Sequence, residues 1–123
     1  FLTGGLLIGG LWFVTPAWAF SSKDLAKLEA TNECPKCDLD LANLRKGDLR
    51  NAKLDMAFMI GAKMRGADLR GATLTKTTFN KTLLRGANLT GLDLSTALMD
   101  KAKLTGAILC KTKLPWGEDN SGC

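Results

Sequence analysis

With 123 residues, the chain has room for one small domain. It contains no His and no Tyr, which removes the usual general base, the commonest metal ligand and a phenolic acid from any catalytic site. Seventeen Lys and Arg outweigh twelve Asp and Glu, and the resulting +5 suits an anionic membrane surface, nucleic acid, an acidic protein partner or simply a solvated basic surface.

Residues 1–20 carry no charge and are long enough, as a helix, to cross a bilayer core. Ala17-Trp18-Ala19 has the small-x-small form of a signal-peptidase site, so the stretch is either a transmembrane anchor or a secretory signal. The anchor reading, in contact with the lipid bilayer, is the expectation adopted, and Gly5 and Gly9 would give such a helix a face for close packing. Residues 21–36 read as a short helical cap and linker. Ser21 and Asp24 have the spacing of a capping box, Leu25 and Leu28 share one helix face that could close the open end of the next domain, and Thr31-Asn32 ends the pattern.

Four Cys, an even number behind an export-like segment, point to an oxidising compartment and to two disulfides. Cys34-Pro35-Lys36-Cys37 has the C-x-x-C spacing of a redox pair or half a zinc site, although no βαβ pattern surrounds it. Structural, redox and metal-binding roles are all open at this point.

From Leu39 to Leu114 a large apolar residue recurs every five positions, sixteen times without a break. Ala usually stands two residues before it and Asp or Asn often between, as in Ala67-Asp68-Leu69-Arg70-Gly71. A period of five fits neither a helix nor a flat strand. The pattern resembles the pentapeptide-repeat family, whose unit is A(D/N)LXX. The resemblance implies an all-β fold over residues 37–114, a right-handed quadrilateral β-helix of about four coils with no pocket, the Leu filling the axis and the Ala letting each corner close. At the β spacing of roughly 4.8 Å such a rod is about 19 Å tall. Residues twenty apart then stack: Leu49, Leu69, Leu89 and Leu109 in one column, Leu39, Met59, Phe79 and Met99 in another. Thr77, Thr82, Thr112 and Leu92 depart from the small position, and Leu92 is expected to bulge or point outward.

Exported members of the family often begin with a similar CxxC, and lumenal or secreted cyanobacterial and plastid members end in a similar Cys-to-Cys tail. The resemblance therefore implies disulfides Cys34–Cys37 and Cys110–Cys123, the second closing the tail 115–123 that leaves the repeat at Pro115. Outside the rod, Arg45, Arg65 and Arg85 form one column and Arg50 and Arg70 the next. Asp48 and Asp68 lie nearby and could pair with them, which would make the columns an ordinary solvated surface; otherwise they form an anion or acidic-partner site. Phe58, Ile60 and Leu98 share another side, with Met56 at the adjoining corner, and form a candidate protein or membrane contact interrupted by Thr78, Asn80 and Asp100.

No enzyme activity, cofactor or metal is expected. The leading expectation is a membrane-anchored scaffold or auxiliary subunit on the lumenal or periplasmic side of a membrane protein complex, with the complex's subunits as partners. The resemblance further implies a thylakoid lumen and a photosynthetic complex, the alternative location being a bacterial periplasm. A CxxC thiol oxidoreductase and a free lumenal or periplasmic binding protein are the alternatives. A DNA-mimicking, topoisomerase-binding rod would be acidic, whereas between Cys37 and Leu114 fourteen Lys and Arg face seven Asp, a net +7. No nucleic-acid partner is expected either.

Overall fold

The computed structural model describes residues 21–123; the expected anchor or signal segment, 1–20, lies outside them. Among the described residues no helix is long and apolar enough to cross a membrane. The first element is α1, Ser22–Thr31, capped by the Ser21 hydroxyl, which accepts from the Asp24 N–H at 3.2 Å. It ends at Asn32, whose left-handed backbone lets its N–H reach the Leu28 carbonyl. The second half of the expected capping box is not made. Asp24 Oδ2 instead accepts from the Asp38 N–H at 2.8 Å, and the Ser21 N–H donates to the Asp38 carbonyl at 3.0 Å. Asp38 lies on the lowest coil with no coil beneath it, so the helix start satisfies backbone groups that would otherwise be an open β edge. Leu28 is buried against the first coil and Leu25 packs beside it.

Above α1 the chain winds as a four-sided β-helix. Parallel rungs join residues twenty apart, from Glu33–Lys53 to Asp93–Lys113. Four five-residue sides make each coil. The first side carries Cys34, Leu54, Leu74, Leu94 and Leu114 inward; the second Leu39, Met59, Phe79 and Met99; the third Leu44, Met64, Leu84 and Leu104; the fourth Leu49, Leu69, Leu89 and Leu109. All are buried except Leu104, which is half-buried at the upper end. The β-helix thus begins at Glu33, inside the stretch expected as linker, because Cys34 already occupies a core position.

Each side turns into the next in the same way. The carbonyl of the core residue accepts from the N–H three residues on, as Leu49 does from Ala52 at 3.1 Å. The second residue after the core position takes a left-handed conformation, with φ between +52° and +77°. Glycine suits it at Gly66, Gly86 and Gly106, but Lys81 and Lys101 adopt it too. The Asp or Asn before the core residue caps the turn: Oδ1 of Asp38, Asn43, Asp48, Asp68, Asn88 and Asp93 accepts from the N–H two residues on at 3.0 to 3.3 Å. The preference for Asp and Asn at this place therefore has a local backbone cause.

Leu92 corrects an expectation: it points inward and is 2% exposed. Ala72 and Thr112, its smaller column-mates one coil below and above, leave it room. The ladder gives way beside it, for Thr73–Asp93 is the one rung missing from the series. Thr96, at the corner that ends this side, is the one corner residue that stays out of the left-handed region, as a β-branched side chain prefers, and its hydroxyl accepts from the Lys76 N–H at 2.9 Å. At the upper end β1 (Thr112–Leu114) and β2 (Gly117–Asp119) pair as an antiparallel hairpin, and the tail returns across the fourth side, where the Gly122 N–H donates to the Leu109 carbonyl at 2.7 Å.

Candidate binding faces

The strict repeat leaves two outward side chains on each side, one before and one after the core residue, so each side presents two columns twenty residues apart. On the second side the leading column runs Asp38, Phe58, Thr78, Leu98, joined by parallel rungs. Phe58 is 48% and Leu98 58% exposed, whereas Thr78 between them is only 8% exposed. Thr78, expected to interrupt the apolar patch, is instead covered, and the stripe runs past it. The trailing column is Asp40, Ile60, Asn80, Asp100. Here Asp40 Oδ1 accepts from the Ile60 N–H at 2.8 Å and Asn80 Oδ1 from the Asp100 N–H at 2.9 Å, so these polar groups are turned along the rod and engaged. Burial is the main cause that raises the Asp40 pKa above the ordinary carboxyl value, and the bond from Ile60 opposes it. Met56 is exposed at the corner with the first side, as expected.

The corner with the third side adds Leu41, which sequence reasoning missed. It is exposed, its N–H donates to the Ile60 carbonyl at 2.9 Å, and its side chain lies over Gly61. The signal was present: Leu41 stands two residues after a core position, where an inward role is excluded.

The fourth side resolves the Arg and Asp columns. Arg50 grips Asp48 through Nε–Oδ1 at 2.8 Å and Nη2–Oδ2 at 2.9 Å, and Arg70 grips Asp68 through Nε at 2.9 Å and Nη2 at 2.6 Å. These hydrogen bonds hold the Asp48 carboxyl down at about 2 and lower that of Asp68, while the carboxylates raise Arg50 and Arg70. Asp48 and Asp68 are therefore committed to their own side. Arg45, Arg65 and Arg85, on the third side, have no carboxylate within 4.0 Å among the described residues. The expectation that Asp48 and Asp68 also screen this column is corrected: the turn that carries each Asp points it at the residue two places on.

Cys34 is bonded to Cys37 and Cys110 to Cys123, leaving no free thiol among the described residues. The first pair is buried in the lowest coil, with both residues in the core. The second ties the end of the chain to the fourth side. One feature contradicts the expectation of a rod with no pocket. Because α1 covers the lower end incompletely, an open cleft of about 770 Å³ lies beneath the third and fourth sides, with Leu28, Glu29 and Asn32 along one wall and the turns around Arg45 and Asp48 along the other.

The model of the pentapeptide repeats matches this chain in eight copies, over residues 42–80, 59–91 and 79–114. The chain belongs to the pentapeptide-repeat family, and its β-helix is of the right-handed kind that defines the family. Among solved structures it is similar to HetL, a pentapeptide repeat protein involved in heterocyst differentiation regulation from the cyanobacterium Nostoc, at 31% identity and a TM-score of 0.41, over 69% of this chain and 41% of that one. It is also similar to a pentapeptide repeat protein from the Arabidopsis thaliana thylakoid lumen, at 27% identity and a TM-score of 0.49, over 66% of this chain and 57% of that one. The chain thus spans about half the length of these two proteins. A comparison with curated proteins finds no match.

Proposed function

We propose that the protein is a non-catalytic scaffold or auxiliary subunit, anchored through residues 1–20 and docked by the second side of its rod onto a subunit of a membrane protein complex. The observation that carries this reading is the exposed pair Phe58 and Leu98, with the covered Thr78 between them, widened by Ile60, Met56 and Leu41, on a domain that has no second layer to cover them. The two disulfides support an oxidising compartment, a thylakoid lumen or a bacterial periplasm. The CPKC start and cysteine tail, similar to those of lumenal family members, favour the lumen and hence a photosynthetic complex. The thiol oxidoreductase alternative fits less well, since a dithiol that attacks substrates needs an exposed sulfur and Cys34 is wholly buried. A free lumenal or periplasmic binding protein would use the same stripe without the anchor.

The test is purification of the full chain from native membranes in mild detergent. Co-migrating subunits that are lost in the Phe58→Ser, Leu98→Ser double variant, and kept in high salt, are expected. Retention of the variant until residues 1–20 are deleted would show that the rod is not the docking element.

A further inference from the structure

The third side carries an uncompensated charge that the docking stripe does not use. Its outward columns are Asn43, Lys63, Leu83, Lys103 and Arg45, Arg65, Arg85, Thr105, with no carboxylate at any position. Lys46 continues it at one corner, and Lys81 and Lys101 continue it at the other. Three guanidinium groups thus sit above one another at a coil spacing of roughly 4.8 Å, with none of the pairing that neutralises the fourth side. Such an arrangement is favoured by anions from outside the chain.

We infer that the third side is an anionic-membrane surface, on which its lysines and arginines meet the charged headgroups of lipids. Three observations favour a lipid surface over an acidic polypeptide. The side's backbone groups are spent on neighbouring coils, as where Lys63 donates to Ala42 and Lys103 to Thr82, so no strand can be added to it. Its corner with the fourth side is formed by Gly66, Gly86 and Gly106, and the depression of about 380 Å³ that they leave beside Arg65 and Arg85 is shallow and open, with nothing in it to fix a peptide in one register. An open array of flexible cations suits mobile headgroups, which need no fixed register, and each Lys or Arg adds to the attraction. Thirdly, the uncharged residues 1–20 join the rod at Ser21, which is bonded to Asp38 at the foot of the adjoining second side.

The square cross-section then links the two surfaces. Adjacent sides stand at right angles, so a third side lying on the bilayer turns the Phe58–Leu98 stripe sideways, along the membrane plane, toward a neighbour in the same membrane. This orientation rests on the membrane scaffold reading; the lipid contact itself does not need the partner.

The experiment is amine-reactive footprinting, by mass spectrometry, of the full chain reconstituted in neutral phosphatidylcholine vesicles and in vesicles with about 30% anionic phospholipid or sulfolipid. Labelling of Lys63, Lys81 and Lys103 is expected to fall several-fold in the anionic vesicles. Lys53, on the opposite first side, should change little. Salt at about 0.5 M should restore the labelling. Arg65→Glu with Arg85→Glu should abolish the protection, while Phe58→Ser with Leu98→Ser should leave it intact. Equal labelling of Lys63 and Lys103 in both kinds of vesicle overturns the inference. Protection found only in native membranes with their proteins also overturns it and assigns the side to an acidic protein. A chain that ignores neutral vesicles yet shows the protection in anionic ones sinks the anchor of the preceding reading and leaves the lipid surface standing. The wild-type footprint and its reversal by salt decide the matter even if the charge variants fail to fold.

Discussion

Thr77, Thr82 and Thr112 occupy the inward small position where alanine is the rule, and all three are fully buried. Their hydroxyls donate to the core carbonyls of Leu54, Met59 and Leu89, twenty-three residues earlier, at 2.8, 2.6 and 2.8 Å. Each carbonyl already accepts from its own turn, so the threonine uses the second lone pair and ties one coil to the next. Thr82→Val keeps the shape and removes the bond, and should lower stability by about 1 kcal/mol, read from the denaturant midpoint at unchanged slope. The sequence showed these residues as departures from a pattern and could not show the bond, because the partner lies one coil below and three residues off the column. Leu92 was misjudged for another reason. Residue size alone argues for expulsion, while the stacking already put the smaller Ala72 and Thr112 below and above it, and the ladder opens beside it to let it in.

The Asp48 and Asp68 carboxyls are also residue-scale sensors. Both have folded pKa values below the unfolded value, so their contribution is present above the unfolded pKa of about 3.9 and lost as pH falls through the folded values. The thermal midpoint should therefore hold from neutral pH to about 4 and drop between about 4 and 2. Asp48→Asn with Asp68→Asn should flatten that drop; an unchanged acid profile in the double variant would contradict the assignment.

At the scale of the element, the missing Thr73–Asp93 rung is a local weakness inside an otherwise continuous ladder. The Leu74 and Asp93 amides lack the inter-coil bonds that Leu69 and Asn88 make at 3.1 and 2.9 Å. They should exchange with solvent faster than those neighbours, in hydrogen exchange resolved by residue, despite lying midway along the rod. The tail is a second weak element held by a staple. Cys110–Cys123 closes a loop with a sequence separation of 13, and Cys110→Ser with Cys123→Ser should cost about 3 kcal/mol in chemical denaturation. Gly122 packs so closely on Leu109 that an added Cβ would lie 2.9 Å from the Leu109 nitrogen, so the return of the tail depends on that glycine. The five-residue period made the coils legible from residue types alone. It did not reveal where they begin, since Cys34 holds a core position without being the large aliphatic residue that the period selects. Nor did it reveal that the first turn of α1 would pair with Asp38, because that partner is set by the open edge and not by the local capping motif.

At the scale of the whole molecule, the described residues above α1 form a stack in which each coil touches only its neighbours, with a buried axial column that must stay apolar. Leu89→Asp places a carboxylate in that column with no partner, and the variant should fail to show a cooperative melt by circular dichroism. The sides themselves were legible as columns from residue numbers alone. The apolar side was among them; what was not legible was which Asp a given Arg would hold, and hence that the fourth side is neutralised while the third is left basic, or that Thr78 would be covered.

The two cysteine pairs, at opposite ends of this stack, also impose an order in time. Cys34 and Cys37 are three residues apart and close to the start of the repeat, whereas Cys110 must wait for the final residue of the described chain. If the chain is exported from its N-terminal end, as the proposed location requires, the lower staple has its partner before the coils above it have emerged. Oxidation there fixes the first turn beside α1 and offers later coils an edge on which to wind. The upper bond closes the process, tying the tail to the last coil once Leu109 and Gly122 have met.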